Sequence, residues 1–478
     1  MSVDASETRV AIVEDGRVTE GHIERRGRRS VVGHVWKGKV ENVLAGMEAA
    51  FVEVGLAKDG FLHVDEVVAL GVPKRRRQIA ELLKSGDEIL VQATKDPMGT
   101  KGARLTQQLS IAGRFLVHVP YGEGIGVSKR LPDGERDRLR SICGALPVEG
   151  GIIVRTAAAG ASARELARDL EFLMRLWKTI QERAAQATAP ALIYAEADIS
   201  LKVIRDLFGR HVDEVLVDDE RQFQRITAFL RRTSPELAER VRRYEGAKPL
   251  MEAYGVEAAL RSTLQRRVPL PSGGYLVIDD TEAMTVIDVN TGRHVGRGST
   301  GLEETVTRTN LEAAEEVVRQ LRLRDIGGII VIDFIDMEDE RNRRAVSSAL
   351  EKAFEADRSK TYVMEISPLG LVEMTRQNIA SGPREIMTVA CPTCAGEGVV
   401  LSDDTHAIAA ERTLRAALAA RSEASFTVAV HPRVAAILAG EGDAHLGEIE
   451  AETGKRLRLE RDEALTPGAI RIEAAAAA

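Results

Sequence analysis

Two apolar runs in this chain end in carboxylates. TVIDVN carries Asp288 and Asn290, and IIVIDFID carries Asp333 and Asp336. An ionised carboxylate without a partner is heavily penalised inside an apolar strand, so such residues belong where a cation can meet them. A sheet edge is the expected place. Mg²⁺ suits it, because this ion takes one or two carboxylates, keeps several waters and accepts substrate phosphate oxygens. The chemistry predicted is metal-assisted cleavage of a phosphodiester. Asn290 stands two residues beyond Asp288, on the same face of a strand, where it can orient the carboxylate. Asp336 either supports the metal shell or caps the following helix. The plainer alternative for these residues is turn or helix capping at strand ends. Two such ends flanking one crossover make that alternative less economical.

The elements that must position these side chains are legible in the pattern. Within residues 303–324, Leu311, Ala314, Val317, Val318 and Leu321 share one helical face. Gly327 and Gly328 then lead into the strand that ends at Asp333. Strand, crossover helix and strand make an α/β unit, whose ligand sites collect at the carboxyl ends of the strands. Upstream, RVAIVEDGRVTEGHIER reads as a hairpin turning at Asp15-Gly16. From there to about Ser110, short β-like runs separated by polar or Gly-rich turns predict a small OB-type barrel. The strand GGIIVRT precedes a helix beginning at Ser162, where Ser162 and Glu165 form an S-x-x-E capping box.

A chain of 478 residues predicts three or more domains. Its 44% hydrophobic and 29% charged content is that of a soluble globular protein. No stretch is apolar enough to span a bilayer, and MSVDASETRV lacks a signal-peptide apolar region. Three cysteines, Cys143, Cys391 and Cys394, exclude a disulfide framework, so a cytoplasmic location is expected. The net charge of −7 argues against a nonspecific nucleic-acid binder. Local basic clusters (Arg25, Arg26, Arg28 and Arg29; Lys74 to Arg77; Lys129 and Arg130) can still meet phosphate, although each alone reads as a solvated face.

Three further motifs carry chemistry. Phe51 and Phe61 fall in adjacent strands of the barrel region, in a chain that is only 4% aromatic. Exposed rings there would stack bases of a single strand, and Lys101 in the turn GTKGARL would contact phosphate. A Phe in a small barrel is as readily core. Cys391-Pro-Thr-Cys394-Ala-Gly-Glu-Gly398 is a C-x-x-C-x-G-x-G knuckle, suited to zinc. Zinc needs four ligands and the chain offers one such pair, so two subunits each donating a pair is the economical solution. A redox dithiol or two spare thiols are the alternatives. Finally, Val154-Arg155-Thr156 ends a strand at a small-residue loop that can clasp a terminal phosphate.

Together the strings WKGKVENVLAGMEAAFVEVG, KGARLT, IIVRTA, LPSGGYLVID, TVIDVN, NLEAAEEVVRQLRLRDIGGIIVIDFIDM and CPTCAGEG resemble the ribonuclease E/G family of bacterial endoribonucleases. They cover residues 9–398 in the family's order; beyond about residue 402 the likeness is less distinctive. The resemblance implies a multidomain α/β and β architecture: an RNase H-like domain in two parts, 1–32 and 199–267, with an S1-motif barrel at 33–112 and a 5′-sensor region at 113–198 inserted in it. It also implies a DNase I-like catalytic domain at 268–388, a zinc link at 389–401 and a small C-terminal domain at 402–478. The activity implied is Mg²⁺-dependent cleavage of single-stranded, A/U-rich RNA in processing and decay, favouring 5′-monophosphorylated ends and leaving 5′-phosphate and 3′-hydroxyl products. In that scheme Asp288 and Asp333 hold Mg²⁺, Asn290 orients Asp288, and Phe51, Phe61 and Lys101 grip RNA. Gly113, Val117, Arg155 and Thr156 line the pocket for the 5′-monophosphate, and Lys360 stands in place of the family's further arginine, keeping the charge but losing the planar fork. Cys391 and Cys394 bind a Zn²⁺ shared in a homo-oligomer, as a dimer or a dimer of dimers. The loop TGRHVGRGSTG differs from that of some members, and the length is that of the shorter form of the family.

Two other readings stand beside this one. A noncatalytic RNA-binding scaffold clasped by zinc would have no use for the Asp288, Asn290 and Asp333 set. A metal-dependent DNase or another phosphoesterase would need the same carboxylates, and only the barrel argues for RNA.

Overall fold

Alternation of burial along two neighbouring strands fixes the geometry of the central sheet. In Met284–Asn290 the side chains of Thr285, Ile287 and Val289 point into the core, while Met284, Asp288 and Asn290 point away from it. In Gly328–Asp333 the inward residues are Ile330 and Ile332, and Ile329 and Asp333 face outward. These assignments come from a computed structural model, which describes the chain apart from residues 28, 70, 72–76, 99–100, 210, 293–298, 368, 378–381, 441–443 and 476–478. Arg28, Lys74, Arg75, Arg76 and most of the loop TGRHVGRGSTG lie outside the described residues.

The chain divides into two compact units, 1–387 and 388–478. In the first, the central sheet has six strands in the order Arg267–Pro269, Tyr275–Asp280, Met284–Asn290, Gly328–Asp333, Leu371–Arg376, Thr361–Val363. Only the third and fourth run parallel. The helix Ser299–Arg324 connects them, and its buried Val306, Ala313, Ala314, Val317, Val318 and Leu321 pack on the inward strand residues. Leu311 is only partly buried against that core. Glu340–Phe354 packs beside the crossover helix and adds Val346, Leu350 and Phe354 to the same core. The helices thus serve the inward residues, which leaves the outward face of the two parallel strands for polar side chains.

A second sheet of the unit closes on itself. Strands Val35–Leu44, Ala49–Glu53, Gly60–His63, Arg104–Thr106 and Glu88–Lys95 pair in that order, and the last returns to the first, giving a five-stranded closed barrel. Its interior is apolar, with Val40, Ala50, Val52, Leu62, Val91 and Leu105 buried. A sixth strand, Ala191–Tyr194, adds to the outside of Val35–Leu44. After the barrel comes a four-stranded sheet ordered Ile125–Val127, Gly151–Val154, Leu116–Val119, Ile111–Ala112, covered by the helix Ala163–Gln186. That helix starts at Ser162 with both hydrogen bonds of the capping box in place. The N-terminal hairpin, Glu7–Glu14 with Arg17–Arg25, turns at Asp15 and Gly16, both at positive φ. It packs on the crossover helix, where Arg322 bonds both Glu14 and Glu20.

The second unit holds a three-stranded mixed sheet, with Ser425–Val430 between Arg456–Arg461 and Ile470–Ala474. Helices Asp403–Ala419, Pro432–Ala439 and Ala444–Thr453 complete its core around Phe426, Val428 and Leu414. Among the described residues, no helix of the chain is long and apolar enough to cross a membrane.

Candidate active site and nucleic-acid interface

Asp288 and Asp333 are register partners at the carboxyl ends of the two parallel strands, and both are exposed. They stand in the middle of the sheet, on its outward face, and not at a sheet edge. Register and period 2 together put the two carboxylates side by side. Asn290, outward on the same strand, donates Nδ2–H to Asp288 Oδ2 at 2.8 Å, which fixes one carboxylate of the pair. Asp333 is held above the usual carboxylate range, by partial burial first and then by the charges of Asp288 and Asp336. Among the described residues, both charges that act on Asp333 in this way are carboxylates, which leaves the pair short of positive charge. A divalent cation fits that deficit. Among the described residues no group of three or more His, Cys, Asp or Glu could hold a metal. Two carboxylates are too few for a closed protein cage and suit a hard divalent cation that keeps several waters.

The loop that leaves Asp333 is clamped from the crossover helix. Asn310, fully buried, donates Nδ2–H to the Ile335 carbonyl at 2.8 Å and accepts from the Ile335 N–H at 3.1 Å. Glu303 accepts from the N–H groups of Glu338 and Asp339 and from Asn342. The helix Glu340–Phe354 is capped by Asp339, so Asp336 is not its cap. Asp336 instead sits beside Gly370, where an added Cβ would come within 3.2 Å of Oδ1. Asn310 and Glu303 were not singled out in the sequence. The available signal was a polar residue, Asn310, one turn before Ala314 on the apolar face of a helix.

On the barrel, Phe51 and Phe61 are cross-strand partners with ring centroids 6.0 Å apart in an edge-on arrangement. Both are half-exposed, while their neighbours Ala50, Val52 and Leu62 fill the interior. They belong to the outer surface, not the core. Lys101 is exposed on the turn that returns to Ala103, whose carbonyl accepts from Phe61 N–H at 2.8 Å. Gly102 is required there, because a Cβ would lie 1.8 Å from the Asp59 carbonyl oxygen. Lys101 thus stands two residues from the backbone partner of Phe61, and all three residues belong to the barrel and not to the sheet of the Asp pair.

Arg155 follows the strand Gly151–Val154, and its Nη1 donates to the Gly113 carbonyl at 2.7 Å. Its Nη2 pairs with Asp206 at 2.6 Å, and Asp206 in turn is held by Arg205. Thr156 Oγ1 lies 2.9 Å from Ser128 Oγ. Gly113 has no room for a side chain, since a Cβ would stand 2.6 Å from Asp169 Oδ2. Arg155 and Thr156 open on a cavity of about 1610 Å³. Gly113 is next to two of its lining residues, Arg114 and Phe115. Val117 pairs with Ile153, which lines the cavity, but does not line it itself. Lys360 is exposed and also outside the lining, whereas Arg358 and Ser359 are within it.

In the second unit, Ala395, Gly396 and Gly398 all adopt positive φ, which bends the chain around the two cysteines. Gly398 N–H donates to Cys394 Sγ at 3.3 Å. Backbone N–H groups of Cys394 and Thr393 lower the pKa of the exposed Cys391 thiol. Amide groups aimed at the Cys391 sulfur stabilise its thiolate, the form that binds a metal.

Residues 110–379 match the model of the Ribonuclease E/G family, and residues 390–475 match that of the RNase E/G, Thioredoxin-like domain. Ribonuclease G of Salmonella typhimurium (strain SL1344) and that of Escherichia coli (strain K12) are each 40% identical to this chain over 470 residues, 96% of either length. Ribonuclease E of Haemophilus influenzae is 37% identical over 452 residues, 93% of this chain and 48% of that protein. The family model spans the Asp288 and Asp333 strands, relatives 40% identical cover nearly the whole chain, and the chain belongs to the ribonuclease E/G family.

Proposed function

We propose that this protein is a Mg²⁺-dependent endoribonuclease that cuts single-stranded, A/U-rich RNA in processing and decay. We read it as cytoplasmic, favouring 5′-monophosphorylated ends and leaving 5′-phosphate and 3′-hydroxyl products. The observation that carries the reading is the side-by-side placement of Asp288 and Asp333 with Asn290 bonded to one of them. Asp288 and Asp333 would hold the ion, which supplies a nucleophilic water at neutral pH and a counter-charge for the in-line transition state. Asn290 keeps the Asp288 carboxylate from rotating as substrate arrives. Phe51 and Phe61 offer faces for two bases, and Lys101 a charge for the phosphate between them. Arg155 and Thr156 hold a terminal phosphate. Residues 33–112 act as an S1-type RNA binder, and 268–388 as the DNase I-like nuclease. Residues 1–32 and 199–267 form the RNase H-like support. The knuckle gives two of the four ligands of a Zn²⁺ whose other two come from a second copy.

The test is cleavage of a 5′-monophosphorylated, A/U-rich RNA oligomer with Mg²⁺, beside a DNA oligomer of matched sequence. Asp333→Asn should lower the rate by about 10³-fold or more while the oligomer still binds. A variant that cuts as fast as the parent removes the catalytic assignment, and equal cutting of DNA removes the RNA preference.

A further inference from the structure

Among the described residues, the cavity beside Arg155 is lined by ten Arg or Lys and ten Asp or Glu side chains, so what decides anion binding is which of its cations lack a carboxylate. At about 1610 Å³ the cavity exceeds the roughly 300–1,000 Å³ of an ordinary small-ligand pocket. Several basic side chains in its wall are committed to carboxylates: Arg205 to Glu196 and Asp206, Arg322 to Glu14 and Glu20, Arg376 to Asp325 and Asp357. Arg114 is different. It is 5% exposed, donates Nη2–H to the Phe208 carbonyl at 2.6 Å, and leaves Nε and Nη1 without a hydrogen-bond partner among the described residues. The nearby Asp169 carboxylate is occupied by the backbone N–H groups of Arg114, Phe115 and Leu116. Burial lowers the Arg114 pKa, and Glu236, Asp169 and Glu165 act against it through space. A buried guanidinium with two idle donors is costly unless an anion meets it.

Two more cations stand in the same wall. Arg358 Nη2 is 3.4 Å from His211 Nε2, and Arg130 donates to the carbonyl of Ser359 at 2.8 Å. The backbone N–H of Arg130 donates to Ser128 Oγ at 3.4 Å, and Ser128 is the partner of Thr156, so this wall is continuous with the Arg155 and Thr156 end.

We infer that Arg114, Arg358 and Arg130 form a second anion subsite, which takes the phosphodiester after the first nucleotide while Arg155 and Thr156 hold the terminal phosphate. The 5′ end is then read as a dinucleotide. This rests on the terminal-phosphate reading of Arg155 and Thr156 given above. Binding of UMP, UpU, pUpU and UTP to the full-length protein without Mg²⁺, followed by calorimetry, separates the two claims. For the parent, pUpU should bind about tenfold more tightly than UMP, as one charge-assisted contact supplies. Arg358→Met and Arg114→Met should each remove that gain and leave UMP binding unchanged. Arg358 is exposed, so it carries the test if the buried Arg114 variant does not fold. Equal affinity for pUpU and UMP, or a gain that survives Arg358→Met, overturns the subsite. So does a gain for UTP in place of pUpU, which would assign the wall to a polyphosphate. If UpU binds as tightly as pUpU and that affinity depends on Arg358, the subsite stands and the terminal-phosphate reading falls.

Discussion

At the scale of single residues, the two aspartates differ from the asparagine in what their loss should do. Asn290 makes one hydrogen bond to Asp288 and touches the chemistry only through it. Partners of metal ligands typically contribute about 10–100-fold to affinity or activity. Asn290→Ala should therefore cut by that factor more slowly and need more Mg²⁺ for half-maximal rate, whereas Asp333→Asn should not recover at any Mg²⁺ concentration. A titration of rate against Mg²⁺ that leaves Asn290→Ala on the parent's curve would remove Asn290 from the site. The Asp pair was readable in the sequence because two carboxylate-tipped apolar runs flank one helix. Their outward face was not, because a run such as Ile329-Ile330-Val331-Ile332 hides which alternate residues meet the core. Ile329 is half-exposed, so the run only looks fully buried.

At the scale of elements, the crossover helix both covers the sheet and holds the loop beyond Asp333. Asn310→Ala would leave the Ile335 N–H and carbonyl without their partner, at about 1–3 kcal/mol in stability. Its melting temperature should drop, and cleavage should weaken more than binding, since the loop follows a carboxylate. The hairpin–helix contact is a second case. Burial alone would raise the Glu20 pKa, but His22 and Arg322 reverse this and pull it down to about 2. A folded-state pKa below the unfolded value near 4.5 means stability that is complete above about 4.5 and is lost as pH falls toward about 2. Glu20→Gln should melt lower than the parent at neutral pH, by about 3 kcal/mol at most, and the gap should close across that window. A gap that stays constant from pH 7 to pH 3 would mean that Glu20 does not act through its charge. Capping boxes and helical periods announced these elements in advance. Asn310 did not announce itself, because a period counts apolar positions and the clamp is one polar residue among them.

At the scale of the whole molecule, the prediction concerns assembly. If Cys391 and Cys394 share Zn²⁺ with a second copy, rigorous chelation or Cys391→Ser should lower the mass in light scattering to that of one chain or of a smaller oligomer. An unchanged mass would exclude the shared ion. The barrel and the knuckle were legible because their signals are local: short strands, a C-x-x-C and its glycines. The cavity was not, since His211 and Arg358 meet across 147 residues and nothing near either one points to the other. Distance along the chain also bears on the barrel. Its ring closes within residues 35–106, yet Ala191–Tyr194 covers Val35–Lys37 from outside, and Lys37 Nζ bonds the Ala187 carbonyl at 2.9 Å. The barrel looks like a portable cassette in the sequence and is not one in space. Cut out at residues 33–112 for grafting or for isolated study, it would carry a bare strand edge, a template on which two cassettes can zip together.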